Sequence, residues 1–199
     1  MDGHRHSPSL ALEPCQPADL AAVLSLYDNA LGRGYIRPAE VSGDRTGVVF
    51  NSLVAWLAGQ LVGAASYAVA PLAELISVGV PAAKRRQVRE LLAEPDTTPA
   101  GLLHALAIEP ARQGLGLGTA LGLAARERLS SAGAQLILAL AWTDAAGCHA
   151  AGAFSRAGFE RAGRVERVWY EDSLERGLPC PSCGLPCTCA ADIYVWRAN

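Results

Sequence analysis

Leu102-Leu-His-Ala-Leu-Ala-Ile-Glu-Pro-Ala-Arg-Gln-Gly-Leu-Gly-Leu-Gly118 joins two different kinds of chain. Leu102 to Ile108 is an apolar run broken by His104 alone, which reads as a buried strand. Glu109 to Gly118 is a loop in which Gly114, Gly116 and Gly118 alternate, and Leu117 to Ala132 is a helix stopped by Gly133. Glycine permits positive φ and lets backbone approach a ligand closely. A helix N-terminus also offers unpaired N–H groups and the positive end of its dipole. A strand, a glycine loop and a helix in this order therefore predict an anion-binding, phosphate-type loop. A merely flexible strand-to-helix turn is the plainer alternative.

Working outward, Asp19 to Leu31 carries Leu20, Val23, Leu24, Tyr27 and Leu31 at helical spacing, and Gly32 follows as a stop. Gly32 to Thr46 reads as a loop or short helical lid. No charge falls between Arg45 and Glu74. That stretch is long enough to raise a membrane span. Gly59-Gln60 in its middle, with Gly63 and Pro71, turns it instead into a hairpin of Leu53–Leu57 and Leu61–Val69. Pro81 to Glu94 is a helix candidate whose basic face (Lys84, Arg85, Arg86, Arg89) is read as solvated, and Pro95 to Gly101 is a linker. Downstream lie a buried strand at Gln135–Ala141, a short helix at Gly147–Ala157, and two late strands at Arg164–Tyr170 and Asp192–Trp196. Helices alternating with strands around a mixed sheet place the chain in the α/β class.

Two nucleotide readings of the glycine loop weaken on inspection. A dinucleotide fingerprint needs G-x-G-x-x-G and an acid at the end of the next strand. Here the third glycine comes one residue early, and Gln135–Ala141 holds no acid. A Walker loop needs lysine after its last glycine, but Gly118 is followed by Thr119. The stretch Leu106 to Thr119 instead resembles the acetyl-CoA segment of the GNAT superfamily of N-acetyltransferases, with Gln113, Gly116 and Gly118 on its core pattern. Ala153-Phe-Ser-Arg-Ala-Gly-Phe159 is similar to the family's second signature, and Pro17-Ala-Asp-Leu20 before a short helix is also typical.

This resemblance implies an α/β (α+β) fold: one domain over 1–199 with a mixed, mostly antiparallel sheet of six to seven strands flanked by helices. It implies acetyl-CoA as co-substrate, its pyrophosphate on the backbone of Gln113, Gly114, Leu115, Gly116, Leu117, Gly118 and Thr119, with Arg112 beside them. The pantetheine arm would pair with Leu106 and Ile108 as an added strand, and Phe154 would pack against it. The acetyl carbonyl would meet the Ile108 amide. The acceptor would be a primary amine of a small molecule or protein. The rivals are a non-catalytic acyl-CoA-binding regulator and a metal-responsive module.

His104 stands at i, i+2, i+4 with Leu106 and Ile108, so all three are expected on one face of the strand. An imidazole there is a candidate general base, and a core histidine bonded to backbone is the plainer alternative. Glu109 is a second candidate. Many family members carry a tyrosine as general acid four residues before the glycine of Gly-Phe. Counting back from Gly158 gives Phe154, which has no hydroxyl. Tyr35, Tyr67 and Tyr170 are the possible substitutes.

Cys180-Pro-Ser-Cys183-Gly-Leu-Pro-Cys187-Thr-Cys189 gives C-x₂-C-x₃-C-x-C, inside a loop expected over 176–190 between the last two strands. Four thiolates suit a structural zinc, although the spacing is tighter than in two-knuckle sites. Reduced free thiols and disulfides stay open beside it. Cys15 and Cys148 are read as small buried residues.

The chain has 199 residues, 51% hydrophobic and 18% charged, with net charge −2, which disfavours extended disorder. A pI near 6.1 excludes the basic face expected of a nucleic-acid binder. The first ten residues are mostly polar, and MDGHRHSPS has no apolar signal core. A cytoplasmic location and no membrane partner are the expectation, while a homodimer stays open.

Overall fold

The hairpin decides how the sheet begins. Ala58 and Gly59 both take positive φ (51° and 76°), the two-residue turn whose twist matches that of paired strands. The uncharged run is thereby split into two strands of one sheet. The computed structural model describes residues 9–198, so the polar start at 1–8 lies outside the described residues.

In chain order the elements are β1 (Leu10–Pro14), α1 (Leu20–Leu31), β2 (Gly43–Arg45), β3 (Val48–Leu57), β4 (Gln60–Pro71), α2 (Leu72–Gly79), α3 (Arg85–Leu92) and β5 (Pro99–Ile108). They continue with α4 (Leu117–Ser131), β6 (Leu136–Asp144), β7 (Gly147–Cys148), α5 (Ala151–Arg156), β8 (Glu160–Val165), α6 (Tyr170–Arg176) and β9 (Ala190–Arg197). The sheet runs β1-β3-β4-β5-β6-β9-β8, with the short β2 on β3 and β7 on β6, nine strands among the described residues. The β5–β6 pair is parallel, and the other pairs of this sheet are antiparallel. The mixed, mostly antiparallel sheet is as expected, with more strands than six or seven because β2 and β7 are two short additions.

Alternation along β3 defines the two faces. Phe50 and Val54 point to the side of α1, α2 and α3, and Leu53 and Ala55 to the side of α4 and α5. The stripe Leu117, Leu121, Ala125 and Leu129 seats α4 on the sheet. Each fully buried leucine in it contributes roughly 2 kcal/mol of apolar burial.

Several expected boundaries move. The linker shrinks to residues 95–98, because Pro99, Ala100 and Gly101 already pair with β4. The carbonyls of Asp96 and Thr98 accept the N–H groups of Ala73 and Leu72 and so cap α2. Helix α2 itself was not expected: its apolar residues Leu72, Leu75, Ile76 and Val78 continue the hydrophobic run and blur the helical period. The helix expected over Gly147–Ala157 is shorter, since Gly147 and Cys148 form β7. The late strand is Glu160–Val165, not Arg164–Tyr170. Arg167 takes φ 51°, which ends extended structure, and Tyr170 opens α6. The lid at Gly32–Thr46 contains a single 3₁₀ turn, Pro38–Glu40, and the strand β2.

Candidate active-site cleft

Strands β5 and β6 pair only over Ala100–Leu103 and Leu136–Ala139. Beyond that, β5 follows β4 to Ile108 while β6 follows β9 and β7 to Asp144. The sheet therefore splays, and a cleft of about 1010 Å³ opens through it. The Glu109 N–H bonds the Val62 carbonyl on β4 at 2.9 Å. By strand alternation the N–H groups of Leu106 and Ile108 point the other way, into the gap.

A β-bulge sits where the splay starts. Ser66 opposes Ala105 but Tyr67 opposes Leu103, so His104 has no partner across β4. A bulge turns the strand by one residue. Leu106 and Ile108 pack on the α4 side, whereas the His104 ring lies edge-on to Phe50, 5.2 Å away, on the α1–α3 side. The expectation that the three side chains share a face is therefore wrong. They line the same cleft from opposite faces of the sheet.

On the α4 side the loop is built as its glycines suggest. Gly114 and Gly116 take φ 78° and 80°, and a Cβ on either would point into open space. They are there for backbone conformation, not for packing. The first ladder bond of α4 runs from the Ala120 N–H to the Gly116 carbonyl, which leaves the amides of Leu117, Gly118 and Thr119 unused by the helix. Gln113 Nε2 donates to the Ile108 carbonyl at 3.3 Å and ties the loop to β5. Arg112 and Arg156 line this end, and Arg156 Nε donates to Thr119 Oγ1 at 3.2 Å. Arg156 was missed in the sequence because the cation is brought to the loop by α5 packing on α4. Of the predicted loop residues only Leu115, 62% exposed, lies outside the lining.

On the other face the sequence missed Glu40. The residue is 3% exposed, and its carboxylate accepts the Arg37 N–H at 2.8 Å and is held by Arg45 Nη1, which also donates to the Val78 carbonyl. His104 Nε2 lies 3.7 Å from Glu40 Oε2, beyond hydrogen-bond range, and is buried without a hydrogen-bond partner. Burial works to raise the Glu40 carboxyl, but the His104 ring, the Arg37 amide and Arg45 outweigh it and hold it at about 2. The lid turn is pinned from beneath by a buried chain: Tyr27 Oη to Ser66 Oγ (2.9 Å), Ser66 Oγ to Ser52 Oγ (2.7 Å), and Ser52 Oγ donating to the Val41 carbonyl (2.6 Å). Glu109 lies outside the lining and sits 3.9 Å from Arg112.

The model of the acetyltransferase (GNAT) family matches residues 32–159, from the lid through the glycine loop to the Gly-Phe pair. The chain belongs to the GNAT acetyltransferase family. A search of curated proteins found no match. Among solved structures, a ribosomal-protein-alanine N-acetyltransferase from Brucella melitensis is similar at 18% identity and TM-score 0.58, covering 94% of this chain and 99% of its own. A mutant agmatine N-acetyltransferase in its apo form is similar at 15% identity and TM-score 0.60, covering 95% and 99%. An IAA acetyltransferase from Bacillus cereus follows at 13% and 0.60, covering 96% and 100%. At these identities the likeness is one of fold, and acetyl transfer is the activity of the family.

At the GNAT position of the general acid, Phe154 is buried, stacked on Tyr194 at 5.1 Å and edge-on to Phe159 at 5.4 Å. Of Tyr35, Tyr67 and Tyr170, Tyr35 alone lines the cleft. Its hydroxyl donates to the Leu178 carbonyl at 3.4 Å, and burial pushes its pKa up. The GNAT match ends before the cysteine segment. There Cys180, Cys183, Cys187 and Cys189 bring their sulfurs within 4.8 Å of one another, a group able to hold a metal ion. Cys15 and Cys148 are half-buried, not buried as expected. Among the described residues no helix is long and apolar enough to cross a membrane.

Proposed function

We propose that this GNAT protein is an acetyl-CoA-dependent N-acetyltransferase acting on a primary amine of a small molecule or protein. One observation carries the reading: a single cleft through the splayed sheet has free helix amides at one end and the His104–Glu40 pair on the opposite face. The pyrophosphate of CoA would meet the Leu117–Thr119 amides, with Arg112 and Arg156 beside them. Pantetheine would extend along the free edge of β5 at Leu106 and Ile108, and the Ile108 N–H would face the developing oxyanion. The amine would enter from the lid side. Glu40 faces Nε2 of His104, which leaves Nδ1 to take the proton directly or through water. Most of the rate would come from holding amine and thioester together. The proposed setting is the cytoplasm, with neither membrane nor nucleic acid as partner.

The test is thiol release from acetyl-CoA across a panel of small amines and amino-terminal peptides, with calorimetry for acetyl-CoA alongside. Turnover with one amine class supports the reading. Phe154, which cannot protonate a leaving thiolate, favours a second reading: binding of acyl-CoA without turnover. Calorimetric binding with no thiol release across the panel would establish it.

Gly118 separates loop function from loop folding. A Cβ there would meet Ala153, Ile108 and Leu106 at 3.5 to 3.8 Å, ordinary contact in the groove that the cofactor must enter. Gly118→Ala should stabilise the helix by up to about 1 kcal/mol and weaken acetyl-CoA binding by about tenfold or more. Thermal unfolding and calorimetry read the two effects separately. Unchanged affinity would place the cofactor elsewhere.

A further inference from the structure

We infer that Cys180, Cys183, Cys187 and Cys189 form a structural tetrathiolate zinc site. Zinc bound to four thiolates at about 2.3 Å places its ligand sulfurs about 3.8 Å apart at the corners of a tetrahedron. The measured separations are 3.7 Å for Cys180–Cys189, 3.9 Å for Cys183–Cys187 and 3.4 Å for Cys183–Cys189. A disulfide needs about 2.0 Å and a pairwise arrangement. Here Cys189 stands near two partners at once, which suits a common central ion and not two bridges.

The backbone is shaped for this purpose. Cys180 and Gly184 exchange reciprocal N–H to carbonyl bonds of 2.9 Å, which closes a tight turn around Cys183. The turn places Gly184 at φ 78°, where a side chain would be strained. The Thr188 N–H points at Cys183 Sγ at 3.2 Å, the kind of donor that offsets charge on a metal-bound thiolate. The Cys187 N–H is held by Ser173 Oγ at 2.9 Å, and Ser182 Oγ donates to Asp144 Oδ2 at 2.7 Å, so the segment is tied to α6 and to the end of β6. Trp142 and Trp169 cover the three buried sulfurs. Soft sulfur ligands select zinc over magnesium or calcium. Four protein ligands leave no open coordination position, so the ion has a structural role.

The site also forms part of the cleft. Cys180 and Cys187 line it together with Tyr35 and Arg176. Leu178 accepts the Tyr35 hydroxyl, and Arg176 Nη2 donates to the Gly34 carbonyl at 2.6 Å. Zinc would thus fix the wall that faces the amine, a consequence that rests on the acceptor reading above.

The experiment is metal analysis of the full chain purified under reducing conditions, followed by replacement of zinc with cobalt. About one equivalent of zinc and the visible bands of a tetrahedral cobalt thiolate are expected. Removing zinc with a chelator should lower Tm by more than about 5 °C. It should also raise the amine KM by about fivefold or more while leaving the acetyl-CoA Kd within about twofold. Cys183→Ser, altering the exposed ligand, should reduce bound zinc at least about tenfold. Zinc below a tenth of an equivalent with no uptake from a zinc buffer would overturn the site, as would stoichiometric iron or a mass lower by two hydrogens per bridge. The metal result stands apart from the catalytic one, because zinc content and the cobalt spectrum are read without any turnover.

Discussion

Replacing His104 with alanine should lower kcat/KM for the amine by about 10²- to 10⁴-fold, the usual worth of a positioned acid–base group. The affinity for acetyl-CoA should stay within about twofold, since the ring and the glycine loop lie on opposite faces of the sheet. The size of the effect follows from chemistry: an alkylammonium is no nucleophile, and among the described residues His104 is the one imidazole of this cleft that faces a buried carboxylate. The second histidine of the lining, His149, is well exposed and sits 3.4 Å from Asp144. His104→Gln keeps a polar side chain beside Phe50 but has no basic nitrogen, so it should be as slow as the alanine variant while losing less stability. A variant retaining the full rate would remove His104 from the reaction and leave it a wall residue against Phe50.

How much of this was legible depends on whether a signal is local. The glycine loop and α4 could be read because positive φ and a 3.6-residue stripe are properties of a few consecutive residues. The hairpin was readable from the glycine between two apolar runs. The bulge at His104 was not, because it exists only in the register with β4: Ser66 and Tyr67 decide which way His104 points. The late strand was misplaced for a similar reason. Val168, Trp169 and Tyr170 have strand-forming side chains, but Arg167 turns the chain and the Val168 N–H bonds the Cys189 carbonyl. Glu40 looked like one more charge in a polar loop. Its burial comes from Arg45 and from the serine–tyrosine chain under the lid, which join elements far apart in sequence. The cysteine spacing was visible at once. The convergence of the four sulfurs required α6 and the end of β6 to hold the segment from both sides.

Glu40→Gln should destabilise the protein by roughly 2–3 kcal/mol at neutral pH, and the pH dependence of that loss identifies its cause. The carboxyl is held at about 2 in the folded protein against an ordinary value of 4.5. Between these values the unfolded chain binds the proton and the folded chain does not. The stabilisation is therefore complete above about pH 4.5, declines as the solution is acidified, and is gone below about pH 2. Glutamine keeps the size of the side chain and an oxygen for the Arg37 N–H. It removes the charge that faces Arg45 and His104, and a buried partner left without its counter-charge is what makes such changes costly. Urea unfolding of the wild type and Glu40→Gln at pH 7 and at about pH 3.5 should give a gap that narrows at the lower pH. An equal gap at both would mean that packing, not charge, sets the loss. Since the Glu40 carboxylate also faces His104, the proposed base, the variant should lose activity at temperatures where it is still fully folded, and Glu40→Asp should recover little. The shorter side chain draws the carboxylate back from an imidazole already 3.7 Å away. One carboxylate thus faces both the lid's Arg45 and the proposed base, and measuring unfolding and turnover on the same variants tells the two proposed roles apart.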